Sequence, residues 1–550
     1  MPSTRALIVA LAAFGAVWFA TLDHRKIIKA DEGRYAEIAR EMVASGDWLT
    51  PRLNGFKYFE KPPLQHWATA TAFTWFGINE WTARLWTALT GFLGVLLLYG
   101  VGNRAFGPPA GLYCAAALAG SVLYVFLGHF LSLDMGVTFF MTLAALSFLL
   151  AQLDDTPEPR RRAWMLTGWA GMALAVLSKG LIGVVLPAAA VAAYVLAQRD
   201  WRVLRRLELV RGTLVFVLLA APWFIAVSLA NPEFFRFFFV HEHFERFLTT
   251  VHGRYEPAWY FFPVLAIGLM PWLPAAVPAV WLAWKADPQL RFRPGRFLVL
   301  WCLVVFVFFS ASSSKLPSYV LPIVPAVALL LGRYLPLADR RLLAAQAAIA
   351  AAAGLGAMAL SLRVESFSTR DLPATLLAGY APWIGVAGAA LAAAGLAALA
   401  SALRAARLAA TLVLSAGALA FVQLTVAGHE SLAPAYSAYH TVQRIRPELE
   451  ADARFYEAPF YFVNTFDHSL LFYLGRTVTM VAYADELAVP ISWEPHKFLP
   501  DIEAFAAAWA REARGYAVLA PADYERLRAR PDLPMQVIAS DPRRVVVKKP

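Results

Sequence analysis

Between its first two apolar segments the chain reads DEGRYAEIAREMVASGDWLTPRLNGFKYFEKPPLQHW, from Asp31 to Trp67. Carboxylates, cations and aromatics recur here at short spacing, in a chain that is otherwise mostly apolar. Further ionisable residues interrupt apolar runs downstream: Asp134 in FLSLDMGVTFF, Lys179 in AVLSKGLIG, Arg246 in HEHFERF and Lys315 in SSSKLPSYVLP. Charges at membrane depth are costly and mark function by default. Cations placed this way suit an anionic lipid phosphate, which they hold by charge-assisted hydrogen bonds. Carboxylates beside them suit work on a sugar or on a nucleophile. The pattern predicts chemistry at a membrane surface.

Each of these residues also has a plainer reading, and residue types alone leave both open. Asp31 either serves the chemistry or only caps the helix begun by DEGRYAEIAREM. Lys61 either binds an anion or snorkels to the interface. Asp134 and Lys179 either face a ligand or simply pair with each other. His241 and His243 flank Glu242, a spacing that suits a divalent metal or an ordinary surface loop. Tyr35, Tyr58, Phe59 and Trp67 stack on a sugar or belong to an interfacial aromatic belt.

The elements that position these residues are read from composition. With 59% apolar and 16% charged residues over 550 positions, a soluble protein is excluded and an integral membrane protein expected. The formal charge of +11 does not point to nucleic acid, because Arg and Lys sit in short clusters between apolar runs. Cys114 and Cys302 lie inside apolar segments, which excludes a disulfide framework and a paired-cysteine metal site. The run from Ala6 to Leu22 lacks a small-x-small cleavage site before Asp23 and reads as a retained helix. Runs near the ~20 residues that span a bilayer follow around 83–101, 109–128, 136–152, 164–178, 181–198, 213–230, 259–283, 297–311, 319–335, 342–362, 378–402 and 408–427. With the first, they predict about thirteen transmembrane helices.

Arg clusters fall on alternate connections: Arg160 to Arg162, Arg199 to Arg211, Arg291 to Arg296, Arg340 and Arg341, Arg404 and Arg407. The positive-inside rule then places the N-terminus in the cytoplasm. The first loop (23–80), the loop 231–258 and the C-terminus fall on the opposite side. Residues 1–428 form the expected membrane domain. Residues 429–550 form a soluble α/β domain, where β-rich pieces such as GYAVLAP alternate with helical ones such as DIEAFAAAWAREA. No nucleotide-binding glycine loop occurs in it, so it reads as a lid or docking domain.

On these motifs the chain resembles the membrane glycosyltransferases of the GT-C class, which take a sugar from a polyprenyl phosphate carrier. Within that class it is most similar to the bacterial 4-amino-4-deoxy-L-arabinose lipid A transferases, relatives of protein O-mannosyltransferases. The resemblance rests on DEGRYAEIAREM, on GDW-x-x-P-x-x-x-G-x-x-Y-x-x-KPPL from Gly46 to Leu64, on the acidic turn at Asp134, on LSKG at Lys179 and on SSSKLPSYVLP. It covers nearly the whole chain.

The resemblance implies a polytopic helical GT-C fold in the bacterial inner membrane, with a periplasmic C-terminal α/β domain. The implied donor is undecaprenyl phosphate-linked aminoarabinose and the acceptor a lipid A phosphate, giving resistance to polymyxin and cationic peptides. Asp31 matches the family's first-loop aspartate, and Asp134 is the second catalytic candidate. Lys61 and Arg246 are expected on the carrier phosphate. Glu32, Arg34, Tyr35, Tyr58, Glu60, Lys179, Lys315 and Tyr319 are expected to line the cavity. No nucleotide sugar or redox cofactor is implied. A divalent metal is allowed but not demanded, with Glu60, His241 and His243 as its candidates. The alternatives are sister enzymes that glycosylate a protein Ser or Thr or move another amino sugar to lipid A, and, from a different class, a lipid transporter or flippase. A transporter would hold its charges near the midplane between repeats, whereas these gather at one face.

Overall fold

The computed structural model describes residues 3–245, 256–451 and 456–550. Its first helix, α1 (Thr4–Phe19), is capped by Ser3, whose hydroxyl accepts from the Ala6 N–H at 3.2 Å. The first loop is built of secondary structure. Helix α2 (Asp31–Ser45) stops at Gly46, whose φ of 72° is a conformation that glycine adopts without strain. A hairpin follows, β1 (Arg52–Leu53) against β2 (Phe56–Lys57), turned by Asn54 and Gly55 at φ 52° and 76°. Asn-Gly favours this turn because both central residues take positive φ. Pro62 and Pro63 then lead into α3 (Leu64–Phe76).

Beyond the loop come α4 (Glu80–Phe106), α5 (Ala110–Ala119), α6 (Val122–Gly128), α7 (Leu133–Gln152), α8 (Glu158–Lys179) and α9 (Ile182–Gln198). The one-turn α10 (Arg202–Arg205) precedes α11 (Leu209–Ala230). Among the described residues, seven helices are long and apolar enough to cross a membrane. Two bent pairs, α5 with α6 at 66° and Phe261–Gly268 with Leu273–Lys285 at 104°, raise that to nine if each is one span. The expectation of thirteen goes beyond this, because α9 and two other apolar helices are shorter and α8 opens on Glu158 and three arginines. The chain is a multi-span helical membrane protein.

At the C-terminal end stands a six-stranded sheet in the order β5-β4-β3-β6-β8-β7, comprising β3 (Phe460–Val463), β4 (Thr479–Val481), β5 (Phe498–Leu499), β6 (Tyr516–Leu519), β7 (Gln536–Ser540) and β8 (Val545–Lys548). Strands β5, β4, β3 and β6 run parallel, and β8 and β7 close the edge antiparallel. Side chains alternate across β3, as the pleat requires. Phe460 and Phe462 pack with Val442 and Leu470 on one face, and Tyr461 and Val463 with Phe505 and Trp509 on the other.

This sheet domain sits directly on the first loop. Tyr473 Oη accepts from the Ile27 N–H at 2.7 Å and donates to Glu80 at 3.0 Å. The Asn54 side chain bonds both backbone groups of Val478, at 3.0 and 2.8 Å. Gly33 lies so close that a Cβ there would meet the Ser469 nitrogen at 2.6 Å. Any larger residue would push the two parts apart.

The hairpin is fastened to α2 by Glu41, whose carboxyl accepts from the amides of Asn54 at 2.5 Å and Gly55 at 2.8 Å. Burial and the neighbouring Glu37 push this carboxyl up to about 8, against the two amides. The folded protein therefore keeps a proton that the unfolded chain releases near its ordinary pKa of about 4.3. The stability linked to that proton is complete below the unfolded value and is lost as pH rises through about 8. Glu41→Gln cannot ionise, so its melting temperature should start lower, for want of one accepted bond, yet decline less than the parent's over this window. Thermal unfolding of the detergent-solubilised protein across pH checks this; parallel curves would contradict it.

Candidate active site

Asp31 opens α2, but the helix is not capped by its side chain: the N-cap is Ala30, at φ 63°, with no side-chain bond. The Asp31 carboxylate instead accepts from Arg34 Nη1 at 2.6 Å and remains 40% exposed. Arg34 turns its other nitrogens to Glu486 of the sheet domain, at 3.1 and 2.5 Å, and Glu486 in turn bonds His468 Nε2 at 2.6 Å. Burial works to raise the Glu486 carboxyl, but His468 and Arg34 hold it down at about 2. The orientation of Asp31 thus depends on an arginine fixed from the other domain. Sequence reading missed Glu486 and His468, which lie in ordinary polar stretches with no motif around them.

Glu32, expected in the cavity, is elsewhere. It is fully buried and accepts from Arg25 at 2.6 and 2.7 Å, from Arg84 twice at 2.9 Å, and from the amides of Ile28 and Leu131 at 3.3 and 3.1 Å. Burial opposes ionisation, yet the two guanidinium groups keep the carboxyl well below the usual range. With every lone pair used, Glu32 joins the first loop to α4 and has no capacity left for a ligand.

The cavity lies where α7, α8 and α9 meet the first loop. It encloses about 380 Å³. Its charged end is made by Glu60, Lys61, Asp134, Lys179 and Glu242, and its apolar wall includes Val137, Met141, Ile182, Val185 and Phe309. Asp134 stands in the first turn of α7 and Lys179 at the last residue of α8, each at the helix end whose dipole favours its charge. They form an ion pair, and Lys179 also stands 5.1 Å from the ring centre of Tyr319, another wall residue. The pairing and cavity-facing readings of these two residues therefore hold together.

Lys61 is held by the rigid Pro62-Pro63 segment ahead of α3. Its Nζ donates to the Glu60 carbonyl at 2.8 Å and to Glu242 Oε2 at 3.2 Å, and lies 3.7 Å from the Glu60 carboxylate. At 13% exposure it faces the cavity and does not reach out as a snorkelling anchor. Burial and Glu242 push the Glu60 carboxyl up. Glu242 is the wall residue that sequence reading passed over, having treated it only as the spacer between two histidines.

Other expected wall residues stand back from the cavity. Tyr58 Oη donates to Glu60 Oε2 at 3.3 Å from a fully buried position, and Tyr35 is buried against His66, ring centres 5.8 Å apart. Arg34 is engaged as described. Lys315 is buried and donates to the carbonyls of Ser312 at 2.6 Å and Glu256 at 2.8 Å, so it fastens the loop that carries Ser312, Ser314 and Ser318 to the wall. Tyr58 and Lys315 thus support groups that do line the cavity, whereas Arg34 and Tyr35 hold residues that stand off its wall. Phe59 packs edge-on to Phe234, and Trp67 Nε1 donates to the Trp48 carbonyl at 2.7 Å; both serve packing. Asp31 also lies off this wall.

Arg246 and the side chain of His243 fall outside the described residues. His241 stacks on Phe237 with ring centres 5.1 Å apart. Among the described residues, no three His, Cys, Asp or Glu side chains gather as a metal site.

A pocket with cations and carboxylates at one end and aliphatic walls at the other fits a ligand with a phosphate head and a hydrocarbon tail. Known proteins agree with this geometry. Residues 5–238 match the Dolichyl-phosphate-mannose-protein mannosyltransferase family, and residues 441–549 match the Aminoarabinose transferase C-terminal domain. Among curated relatives, the Undecaprenyl phosphate-alpha-4-amino-4-deoxy-L-arabinose arabinosyl transferases of Pseudomonas paraeruginosa and Edwardsiella ictaluri are 34% and 33% identical, over 59% and 57% of this chain. The matched stretch spans 58% and 56% of those relatives' own lengths. The crystal structure of ArnT from Cupriavidus metallidurans bound to undecaprenyl phosphate is 36% identical, covers 99% of this chain and 98% of its own, and superposes with a TM-score of 0.93. The apo form of the same protein gives 36% identity, 100% and 98% coverage and a TM-score of 0.91.

Proposed function

Because the chain belongs to the ArnT family of GT-C aminoarabinose transferases, we propose that it transfers 4-amino-4-deoxy-L-arabinose from undecaprenyl phosphate to a phosphate of lipid A. The observation that carries this reading is the amphipathic cavity, whose charged end is fixed by Lys61 and whose apolar wall continues along α7 and α9. A polyprenyl phosphate places its head among the charges and its chain along the wall. The chemistry belongs at the periplasmic face of the inner membrane, with the N-terminus cytoplasmic and the sheet domain periplasmic, as the alternating Arg clusters indicate. Residues 1–428 then form the catalytic membrane domain and 429–550 the domain that braces its first loop.

The reaction breaks the bond between the anomeric carbon and the carrier's phosphate oxygen, and the electron pair leaves with that oxygen. Undecaprenyl phosphate gains a negative charge, which Lys61 stabilises in a site shielded from water. Arg246 is proposed as the second cation on that phosphate. The acceptor's phosphate oxygen forms the new bond. It already carries negative charge near neutral pH, since the second pKa of a phosphate monoester is about 6, so no general base is required. Asp31, partly exposed and held by Arg34, is assigned to positioning the acceptor or the sugar's ammonium, and Asp134 to orienting Lys179. One in-line displacement inverts the anomeric centre, whereas retention usually takes two displacements through a nearby carboxylate nucleophile. No electron is transferred, so the step calls for no redox cofactor, and its charge balance does not depend on a metal.

The match to protein mannosyltransferases lies in the helical half; a protein hydroxyl acceptor would need a true base. The C-terminal match favours the lipid acceptor. Mass spectrometry of lipid A from cells with and without the gene tests the proposal. Aminoarabinose on lipid A only when the gene is present supports it, and unchanged lipid A with a newly glycosylated protein would overturn it.

A further inference from the structure

The helices that line the cavity carry a second charged surface at their far ends. α8 runs from Glu158 to Lys179 and α9 from Ile182 to Gln198. At 1.5 Å per residue, the segments before α8 and after α9 lie ~25 to 33 Å from the cavity. Arg160, Arg161 and Arg162 precede the body of α8; Arg199, Arg202, Arg205, Arg206 and Arg211 follow α9. The acids among them are largely committed. Glu208 lies 3.4 Å from Arg162 and 3.0 Å from Arg211, and Asp200 lies 3.0 Å from Arg291. Glu158, exposed, lies 3.5 Å from Arg162 and 3.9 Å from Arg161, and Asp154 lies 3.2 Å from Arg291. Among the described residues, Arg160, Arg199, Arg202, Arg205 and Arg206 have no carboxylate partner.

Arg206 stands out within this group. It is half-buried, and Arg291 and Arg161 lie close enough that, after burial itself, their charges lower its pKa. Asp154 and Asp200 act on it in the opposite sense, but both are paired with Arg291, so Arg206 has no carboxylate of its own and can donate to an anion. The backbone around it is shaped to present it. Arg199 at φ 54° and Glu208 at φ 49° turn the chain at both ends of the segment, and fully buried Val203 pins it to the bundle. Trp201 and Leu204 face outward, 60% and 40% exposed, and Val210 at the start of α11 is 87% exposed. Indole, aliphatic side chains and arginines together at the end of membrane helices match the boundary between acyl chains and headgroups. A soluble acidic partner would not account for the outward apolar residues.

We propose that this surface seats the phosphate of an anionic phospholipid in the leaflet opposite the catalytic cavity. Arg206, Arg161 and Arg205 hold the headgroup, and Trp201 and Leu204 lie among its acyl chains. Basic pockets at the ends of membrane helices bind anionic headgroups in this way.

The test uses the full-length protein in nanodiscs of phosphatidylcholine, with and without phosphatidylglycerol. Phosphatidylglycerol should bind saturably, survive into the mass spectrum of the intact protein and raise the melting temperature. Arg161→Gln with Arg206→Gln should weaken its retention at least about fivefold, the expected weight of one arginine at a lipid surface. Arg340→Gln with Arg341→Gln, which removes the same charge from exposed positions, should leave retention unchanged. Equal loss in both pairs would reduce the effect to bulk charge and overturn the site, as would unchanged retention in the first pair. Binding to the unaltered protein that never saturates overturns it without recourse to variants. Inorganic phosphate that stabilises the protein in phosphatidylcholine discs as much as phosphatidylglycerol does would assign the surface to free phosphate and overturn the lipid proposal.

Discussion

Lys61→Ala is expected to lower transfer by about 10² to 10³, the usual cost of removing one preorganised charge stabiliser from an active site. The loss should fall on the rate more than on donor binding, because the leaving phosphate gains its extra charge only in the transition state. A second effect must be separated from this one. Without Lys61, Glu60 and Glu242 would lose the ammonium they share and repel each other more strongly. Pairing Lys61→Ala with Glu242→Gln removes that repulsion without restoring a positive charge to the phosphate. If activity returned in the double variant, Lys61 would act by neutralising Glu242, and the assignment to the carrier phosphate would fail. Lys61→Arg should rescue in part, since a planar fork cannot reproduce the geometry of a point charge bonded to Glu60 and Glu242. Purified variants assayed at matched folded protein decide the matter.

Asp31→Asn should reduce transfer about a hundredfold, the cost of losing a positioning contact, while leaving insertion and folding intact. Asn keeps an oxygen for Arg34, and Arg34 stays anchored by Glu486. The structural charges of the loop, Glu32 with Arg25 and Arg84, are untouched. The pH profile separates the two possible roles. A phosphate acceptor loses no proton to the enzyme, so the variant's profile should run parallel to the parent's at a lower level. Activity that recovers steeply with rising pH would identify Asp31 as a base, and with it a hydroxyl acceptor.

The residues that became legible from sequence share a physical reason: a charge inside an apolar run has few ways to be tolerated. Asp134 and Lys179 stood out for that reason and are found paired at the cavity, and Glu60, Lys61 and Tyr319 stand in its wall. The same logic failed where charges crowd together. DEGR gives no sign that Asp31 is exposed while Glu32, one residue on, is sealed between Arg25 and Arg84. Helical rotation separates them, and Arg84 arrives from α4 through tertiary packing. Lys315 looked like a ligand group, yet two carbonyls claim its protons; backbone partners leave no trace in a sequence. Glu486 and His468 were hidden because their role exists only once the sheet domain sits on α2. The α/β nature of that domain was readable, since YAVL and FYFV are the fully buried strands at its centre. The number of spans was less so, because apolar runs do not reveal bends such as the 104° break before Leu273.

Transfer of the sugar from a polyprenyl phosphate donor at the Lys61 cavity to a lipid phosphate can be followed by reconstitution from pure components. The purified protein is mixed with undecaprenyl phosphate-linked aminoarabinose and lipid A, and both lipids are followed by mass spectrometry. Aminoarabinose should appear on a lipid A phosphate while undecaprenyl phosphate is released in equal amount, with both products nearly absent in Lys61→Ala. Release of undecaprenyl phosphate without modified lipid A, or modification that proceeds undiminished in Lys61→Ala, would contradict transfer at this cavity.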